Sequence, residues 1–194
     1  MKIWNALQYC LFIDDAESRK VKRFLHVLFL IYFLILLKVI VFKYPLEQLI
    51  AITRTWERDV ILEGLDTANF TLFKTIKMYI RYWGRLNSFE NLAGNVVCFM
   101  PFGFLLPFLH KDSGHWWVLL INAFVLVSGI ELFQLITDFG AFDVDDFLLN
   151  CVGAMLGFGI FALCRAGGRK RYAADQAGMH VRHTDREKTK RQHK

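Results

Sequence analysis

The sequence predicts an all-α membrane protein: a polytopic helical bundle of about four transmembrane helices, with an additional amphipathic helix at the membrane interface. Hydrophobic residues make up 55% of the chain. They concentrate in four apolar runs of about 20 residues each, the length that crosses the hydrocarbon core of a bilayer as a helix. Basic residues crowd the ends of these runs. Helix is the required form, because lipid offers no partner to an unpaired backbone group.

The four runs define a transmembrane domain at 24–165. Strongly polar side chains are few within the runs. Because each is costly to place in lipid, it should either pair with another polar group or serve a function. The predicted spans are 24–42, 91–109, 116–136 and 147–164.

Basic residues that flank the spans predict the orientation. Lys and Arg are frequent in segment 1–23, at Lys111 and after Arg165, whereas the turn 137–146 contains four aspartates and no basic residue. We therefore predict a plasma-membrane protein with both termini in the cytoplasm, N-in and C-in. Segment 1–23 is the cytoplasmic N-terminal segment and lacks the apolar core of a cleaved signal peptide. Segment 166–194 is predicted to be a basic, disordered cytoplasmic tail.

The segment 43–90 is then external, and its second half predicts an amphipathic helix. Apolar residues between Leu72 and Trp83 recur at helical spacing, and basic residues between Lys74 and Arg85 occupy the opposite face. Asp66 or Asn69 could cap the start of this helix. The helix either lies in the membrane interface or packs on the outer end of the bundle, since both arrangements bury the same stripe.

Composition argues against several classes of function. The net charge of +6 is concentrated at span ends and in the tail, so nucleic-acid binding is not predicted. The four cysteines form no pair at metal-binding or redox spacing. Three tail histidines, His180, His183 and His193, have nothing to fix them together. We expect no metal and no cofactor, and membrane lipids as partners.

Polar residues from several spans should converge in one layer beneath the outer surface. In the predicted orientation, Asn95, Glu131 and Asn150 lie within two turns of the outer ends of their helices. Each of them is costly in lipid and should face the bundle interior. The candidate outer polar pocket consists of Asn95, Glu131, Gln134, Asp143, Asp146 and Asn150, with Asp145 on its rim.

Two interpretations of this layer remain open, a ligand pocket and a set of interhelical hydrogen bonds that lock the helices together. The carboxylate of Glu131 favours a pocket, because amide side chains would lock helices at a lower desolvation cost. The aspartates before the fourth span could cap its helix, form a solvated turn or hold a divalent cation. Lys38 either extends to the outer headgroups or pairs with Glu131.

Four further residues are candidates for helix packing. Gly153 and Gly157 form a small-xxx-small pair, which lets another helix approach closely. Pro101 removes a helical hydrogen bond and should loosen its span. The backbone groups freed near Pro101 and Gly103 are tolerable only where protein covers them.

Three segments, in order along the last three spans, resemble the signature of the VanZ-like family. Segment 95–103 resembles its N-x3-F-x-P-x-G motif, and segment 131–134 resembles its E-x-x-Q motif. Segment 143–157 resembles its D-x-x-D-x3-N-x2-G-x3-G motif. Many members carry an Arg shortly before the first aspartate of this last motif, and segment 139–142 has none.

The resemblance implies a bacterial plasma-membrane protein of a family whose namesake is linked to resistance to the glycopeptide antibiotic teicoplanin. The leading hypothesis is a non-enzymatic protein that modifies how the cell surface engages a glycopeptide or lipoglycopeptide antibiotic or an envelope lipid. One alternative is a membrane enzyme acting on a lipid-linked envelope substrate, with Glu131 as acid/base. Another is a small proton-coupled transporter, which the scarcity of polar residues in the inner halves of the spans disfavours.

Overall fold

The computed structural model describes residues 16–40, 45–55, 59–82, 88–110, 114–137 and 139–192. This described part contains seven helices and no strand, which confirms the all-α prediction. The helices are α1 (Ala16–Ile40), α2 (Leu46–Thr55), α3 (Asp59–Thr67), α4 (Lys74–Arg81), α5 (Ser88–Leu109), α6 (Trp116–Thr137) and α7 (Val144–Gln192).

Three of the described helices contain segments long and apolar enough to cross a membrane. They are Leu92–Leu109 in α5, Trp116–Thr137 in α6 and Val144–Lys170 in α7, and they match the second, third and fourth predicted spans. The first predicted span falls on α1, which is not among these three segments, and residues 41 and 42 lie outside the described residues. The structure therefore supports a membrane protein with three candidate spans.

The most extensive helix contact, between α5 and α7, depends on glycine. A Cβ atom added to Gly157 would overlap the carbonyl oxygen of Met100, and one added to Gly153 would overlap that of Val96. From the other side, a Cβ on Gly103 would overlap the carbonyl oxygen of Ala154. The predicted close approach at these glycines is present, because only glycine lets the two backbones come so near.

Helix α5 continues through both of its prolines, Pro101 and Pro107. Near Pro101, the hydroxyl of Tyr32 on α1 donates a hydrogen bond of 2.8 Å to the carbonyl oxygen of Cys98. Proline supplies no N–H to the carbonyl four residues earlier, here that of Val97, and the Tyr32 contact covers the next carbonyl along the helix. The expectation that protein covers the backbone near Pro101 agrees with this contact.

Apolar side chains fill the space between α1, α5, α6 and α7. The larger of two buried clusters includes Phe99, Leu119 and Val127, whose side chains are fully buried. The smaller cluster includes Phe108 and Phe161, whose rings meet edge to face with centroids 5.0 Å apart. This smaller cluster lies where α5 ends, at the end of the bundle opposite the predicted polar layer, and contains no polar side chain.

The prediction of a disordered tail is wrong for the described residues, because α7 continues as helix to Gln192. The tail is rich in Ala, Arg and Lys, which are strong helix formers. It contains no proline after the span. It also extends a helix that already exists, so the unfavourable nucleation step is avoided. The polar composition of this segment rules out a packed hydrophobic core, but it is compatible with a helix exposed to solvent.

Candidate polar cavity at one end of the bundle

A partly enclosed cavity of about 540 Å³ lies between α4, α5 and the start of α7. Helix α4 contributes Lys74, Thr75 and Tyr79, and α5 contributes Asn95 and Cys98. We call this space the polar cavity. Its remaining described lining residues are Val39, Thr67, Asn69, Met78, Gly94, Gln134, Ala141, Phe142, Asp143 and Asp146.

Four of the six predicted pocket residues line the polar cavity. Asn95 donates a hydrogen bond of 2.5 Å from its amide to a carboxylate oxygen of Asp146, which ties α5 to the first turn of α7. Gln134 is buried at 5% exposure and reaches the cavity from α6. Asp143 completes the set. The polar cavity therefore contains predicted pocket residues from α5, α6 and α7.

Glu131 lies behind the cavity rather than in its wall. It is 1% exposed, and one carboxylate oxygen accepts a hydrogen bond of 3.0 Å from the backbone N–H of Asp143. Glu131 therefore positions the turn that carries Asp143. This geometry corresponds to the locking interpretation for Glu131, while Asp143 and Asp146 face the open space.

Asn150 is also buried, at 2% exposure, and is not among the residues that line the cavity. Its side-chain oxygen has no hydrogen-bond partner within the described part of the chain. Asn150 sits on α7 one turn beyond Asp146, toward the packed glycines. It is thus an interior residue of the helix interface.

Asp143 caps the start of α7 and joins three segments. One carboxylate oxygen accepts a hydrogen bond of 2.8 Å from the N–H of Asp145 and another of 2.8 Å from the amide of Asn69. The second oxygen accepts a hydrogen bond of 2.5 Å from the Thr75 hydroxyl. The capping interpretation of the aspartates is therefore correct for Asp143, since negative charge is favourable at a helix N-terminus.

Asp145 caps a different helix, α4, which begins about 70 residues earlier in the chain. Its carboxylate accepts backbone hydrogen bonds from Phe73 (2.5 Å), Thr75 (2.8 Å) and Ile76 (3.1 Å). Asp145 is completely buried. The local caps expected at Asp66 or Asn69 are wrong, because a distant carboxylate satisfies the free N–H groups of the first turn.

Two residues that bind Asp143, Thr75 and Asn69, were not predicted to belong to the site. The backbone of Asn69 pairs with the turn before α7: its N–H donates to Phe142 (2.8 Å), and its carbonyl accepts from Val144 (3.0 Å). Its side chain accepts from the Thr71 N–H at 3.1 Å. Asn69 is a polar residue between two helical patterns, which is a turn signal. No sequence periodicity indicates that this turn docks against residues 142–144.

Charge in the polar cavity is mixed. Asp143 and Asp146 supply carboxylates, and Lys74 supplies an ammonium group from an exposed position. The described residues contain no group of three His, Cys, Asp or Glu side chains arranged to hold a metal ion. In the polar cavity, Asp143 and Asp146 can therefore accept hydrogen bonds from a bound group, and Lys74 can donate them.

We expect Glu131→Gln to fold and to retain the polar cavity, because the amide oxygen can still accept the Asp143 N–H. Glu131→Leu should lower the amount of folded protein, since it removes a part-buried hydrogen bond to a carboxylate, and such bonds contribute about 1.5–3 kcal/mol. Membrane abundance of both variants against wild type checks this. If Glu131→Gln accumulated normally but lost function, the charge of Glu131 would have a role beyond holding Asp143.

Comparison with known proteins places this arrangement in a family. The model of the family described as VanZ/LLP1 matches residues 29–165, which include every described residue that lines the polar cavity. The chain is 38% identical over 78 residues to Protein VanZ of Enterococcus faecium. That alignment covers 39% of this chain and 47% of the relative, so the chain matches about half of that protein's length. No solved structure matches. The extent of the family match shows that the chain belongs to the VanZ/LLP1 family.

Proposed function

We propose that the chain spans the plasma membrane four times, with α1 as the first span and both termini in the cytoplasm. Support for α1 comes from its exposed apolar side chains, among them Leu30, Ile31 and Leu34, which suit contact with lipid. The basic flanks and the acidic turn before α7 support the orientation. The polar cavity would then lie at the outer surface, with α4 beside the lipid interface.

A topology assay tests this orientation. A reporter fused after Lys111 or Arg171 should be cytoplasmic, and one inserted at Gly140 should be external, because basic flanks are retained on the inner side. An external signal from the fusion at Lys111 would overturn the four-span arrangement.

We further propose that the protein binds a polar group in the polar cavity and thereby alters how the cell surface engages a glycopeptide or lipoglycopeptide antibiotic or an envelope lipid. The observation that carries this proposal is an accessible cavity that presents Asp143, Asp146 and Lys74 together. Its volume of about 540 Å³ is within the range of roughly 300–1,000 Å³ for small-molecule sites.

The hydrogen bonds favour binding over catalysis. Glu131, Asp143 and Asp145 each accept hydrogen bonds from backbone or side-chain groups of the chain. A general acid or base must instead exchange its proton with a bound substrate. The apolar cluster around Phe108 and Phe161 at the opposite end disfavours transport, which needs a polar path.

Antibiotic susceptibility tests the proposed function. Lys74→Gln and Asp146→Asn remove charges from the cavity wall while keeping side-chain size. We expect both to accumulate normally and to lose protection against teicoplanin. Lys77→Gln is the matched control, because Lys77 is exposed on the same helix and does not line the cavity. Full protection with both cavity variants would contradict the proposal.

A further inference from the structure

A second cavity, of about 560 Å³, lies on the exposed side of α1, α5 and α7. We call it the apolar groove, since its described lining contains almost no polar surface. Its wall includes Ile31 and Ile35 on α1, Pro101 and Phe104 on α5, and Ile160 on α7. Ile31, Ile35 and Ile160 are exposed, so the groove is open on the face where lipid chains would lie.

The apolar groove and the polar cavity follow one another along the same two helices. On α1, Val39 lines the polar cavity and Ile35, one turn away, lines the apolar groove. On α5, Cys98 lines the polar cavity and Pro101, again about one turn away, lines the groove. The two spaces are therefore neighbours in depth, with the polar one toward the proposed outer surface.

Tyr32 lies at the junction between these spaces. Its ring lines the apolar groove, while its hydroxyl is used in the hydrogen bond to the Cys98 carbonyl. The phenol thus presents carbon atoms to the groove and satisfies its polar atom on α5. A groove of this kind in a bilayer is filled by lipid chains, because a void would forfeit dispersion contacts along its wall.

We propose that the polar cavity and the apolar groove form one site for a phospholipid with an amine in its headgroup. One acyl chain lies in the groove, and the headgroup enters the polar cavity. Lys74 there faces the phosphate, and Asp143 and Asp146 face the amine. Two carboxylates against one ammonium group favour a headgroup with a cation over a purely anionic one. This inference rests on the proposed binding function and names the class of ligand.

Photolabelling of the full chain in vesicles tests the inference. The probe is phosphatidylethanolamine with a diazirine in the middle of one acyl chain, compared with phosphatidylglycerol carrying the same chain. We expect phosphatidylethanolamine to label groove positions such as Ile31 and Phe104 about tenfold more than phosphatidylglycerol does, the effect of one charge-assisted hydrogen bond. Lipid-facing positions on α6, such as Ile121 and Val125, should show no preference.

Variants test whether lipid binding in the apolar groove depends on the polar cavity. Ile35→Trp should fill the groove and abolish its labelling, whereas Ile121→Trp should leave it unchanged. Lys74→Gln and Asp146→Asn should each lower groove labelling although neither residue lines the groove, and Lys77→Gln should not. Equal labelling by both lipids, or groove labelling that is insensitive to both cavity variants, overturns the inference. If the cavity variants still abolish antibiotic protection in that case, the proposed function stands and its ligand lacks a tail in the groove.

Discussion

Gly157→Leu is expected to reduce folded protein in the membrane to a small fraction of the wild-type amount. A side chain at Gly157 meets the carbonyl oxygen of Met100 on α5 and would also come within 3.0 Å of the backbone nitrogen of Phe104. Overpacking of this kind typically costs about 1–3 kcal/mol when side chains can move. Here the obstacle is backbone, so α5 and α7 must separate, and we expect the cost to reach or exceed the upper end of that range.

Gly159→Leu is the matched control for this prediction. A Cβ on Gly159 meets nothing within 4 Å, and Gly159 is exposed on the same helix only two positions away. Membrane abundance and thermal stability in detergent should separate the two variants clearly. Equal abundance of Gly157→Leu and wild type would show that the close contact between α5 and α7 is absent in the membrane.

Asp145→Ala should release α4 from the bundle and open the polar cavity. The substitution removes the acceptor of three backbone N–H groups, at Phe73, Thr75 and Ile76. Each of these part-buried hydrogen bonds has a charged acceptor, and such bonds contribute about 1.5–3 kcal/mol. Phe73 also has a left-handed backbone with φ of 64°, a conformation that costs a non-glycine residue about 1–2 kcal/mol and that its hydrogen bond to Asp145 helps to hold.

Hydrogen exchange of segment 70–82 measures this release. We expect much faster exchange across the segment in Asp145→Ala, with little change in α5 and α6, and a loss of whatever binding the polar cavity supports. Asp66→Ala is the control, because Asp66 is an exposed acidic residue on the neighbouring helix α3. Unchanged protection of segment 70–82 in Asp145→Ala would mean that Asp145 does not hold α4.

The fold could be predicted largely from hydrophobic runs and glycine spacing. The runs at 91–109 and 116–136 nearly coincide with α5 and α6, because the length of an apolar run is set directly by bilayer thickness. The pair Gly153 and Gly157 indicated the helix contact that the structure contains. Four of the six pocket candidates line one cavity, and the physical reason for proposing them was that polar groups in a bundle must face its interior.

The part of the site supplied by segment 69–76 could not be predicted. Asn69 and Thr75 reach Asp143 from far away in sequence, and no local pattern encodes a contact between two irregular turns. The role of Asp145 could not be predicted either, because its position at the start of α7 suggested a cap for that helix. It caps α4 instead, because tertiary packing brings the two helix starts together. Glu131 was predicted as a functional group and lies behind the wall.

External labelling of Cys98 tests most directly the central claim that the polar cavity opens at the outer surface. Cys98 lines the cavity, so a chain in which Cys10, Cys151 and Cys164 are replaced by alanine reports on it alone. The reagent is a charged, membrane-impermeant methanethiosulfonate applied to intact cells. We expect Cys98 to react from outside, whereas His110→Cys, made in the same background with Cys98 also replaced by alanine, should react only after permeabilisation. Reaction of Cys98 only after permeabilisation, or of His110→Cys from outside, would contradict the account.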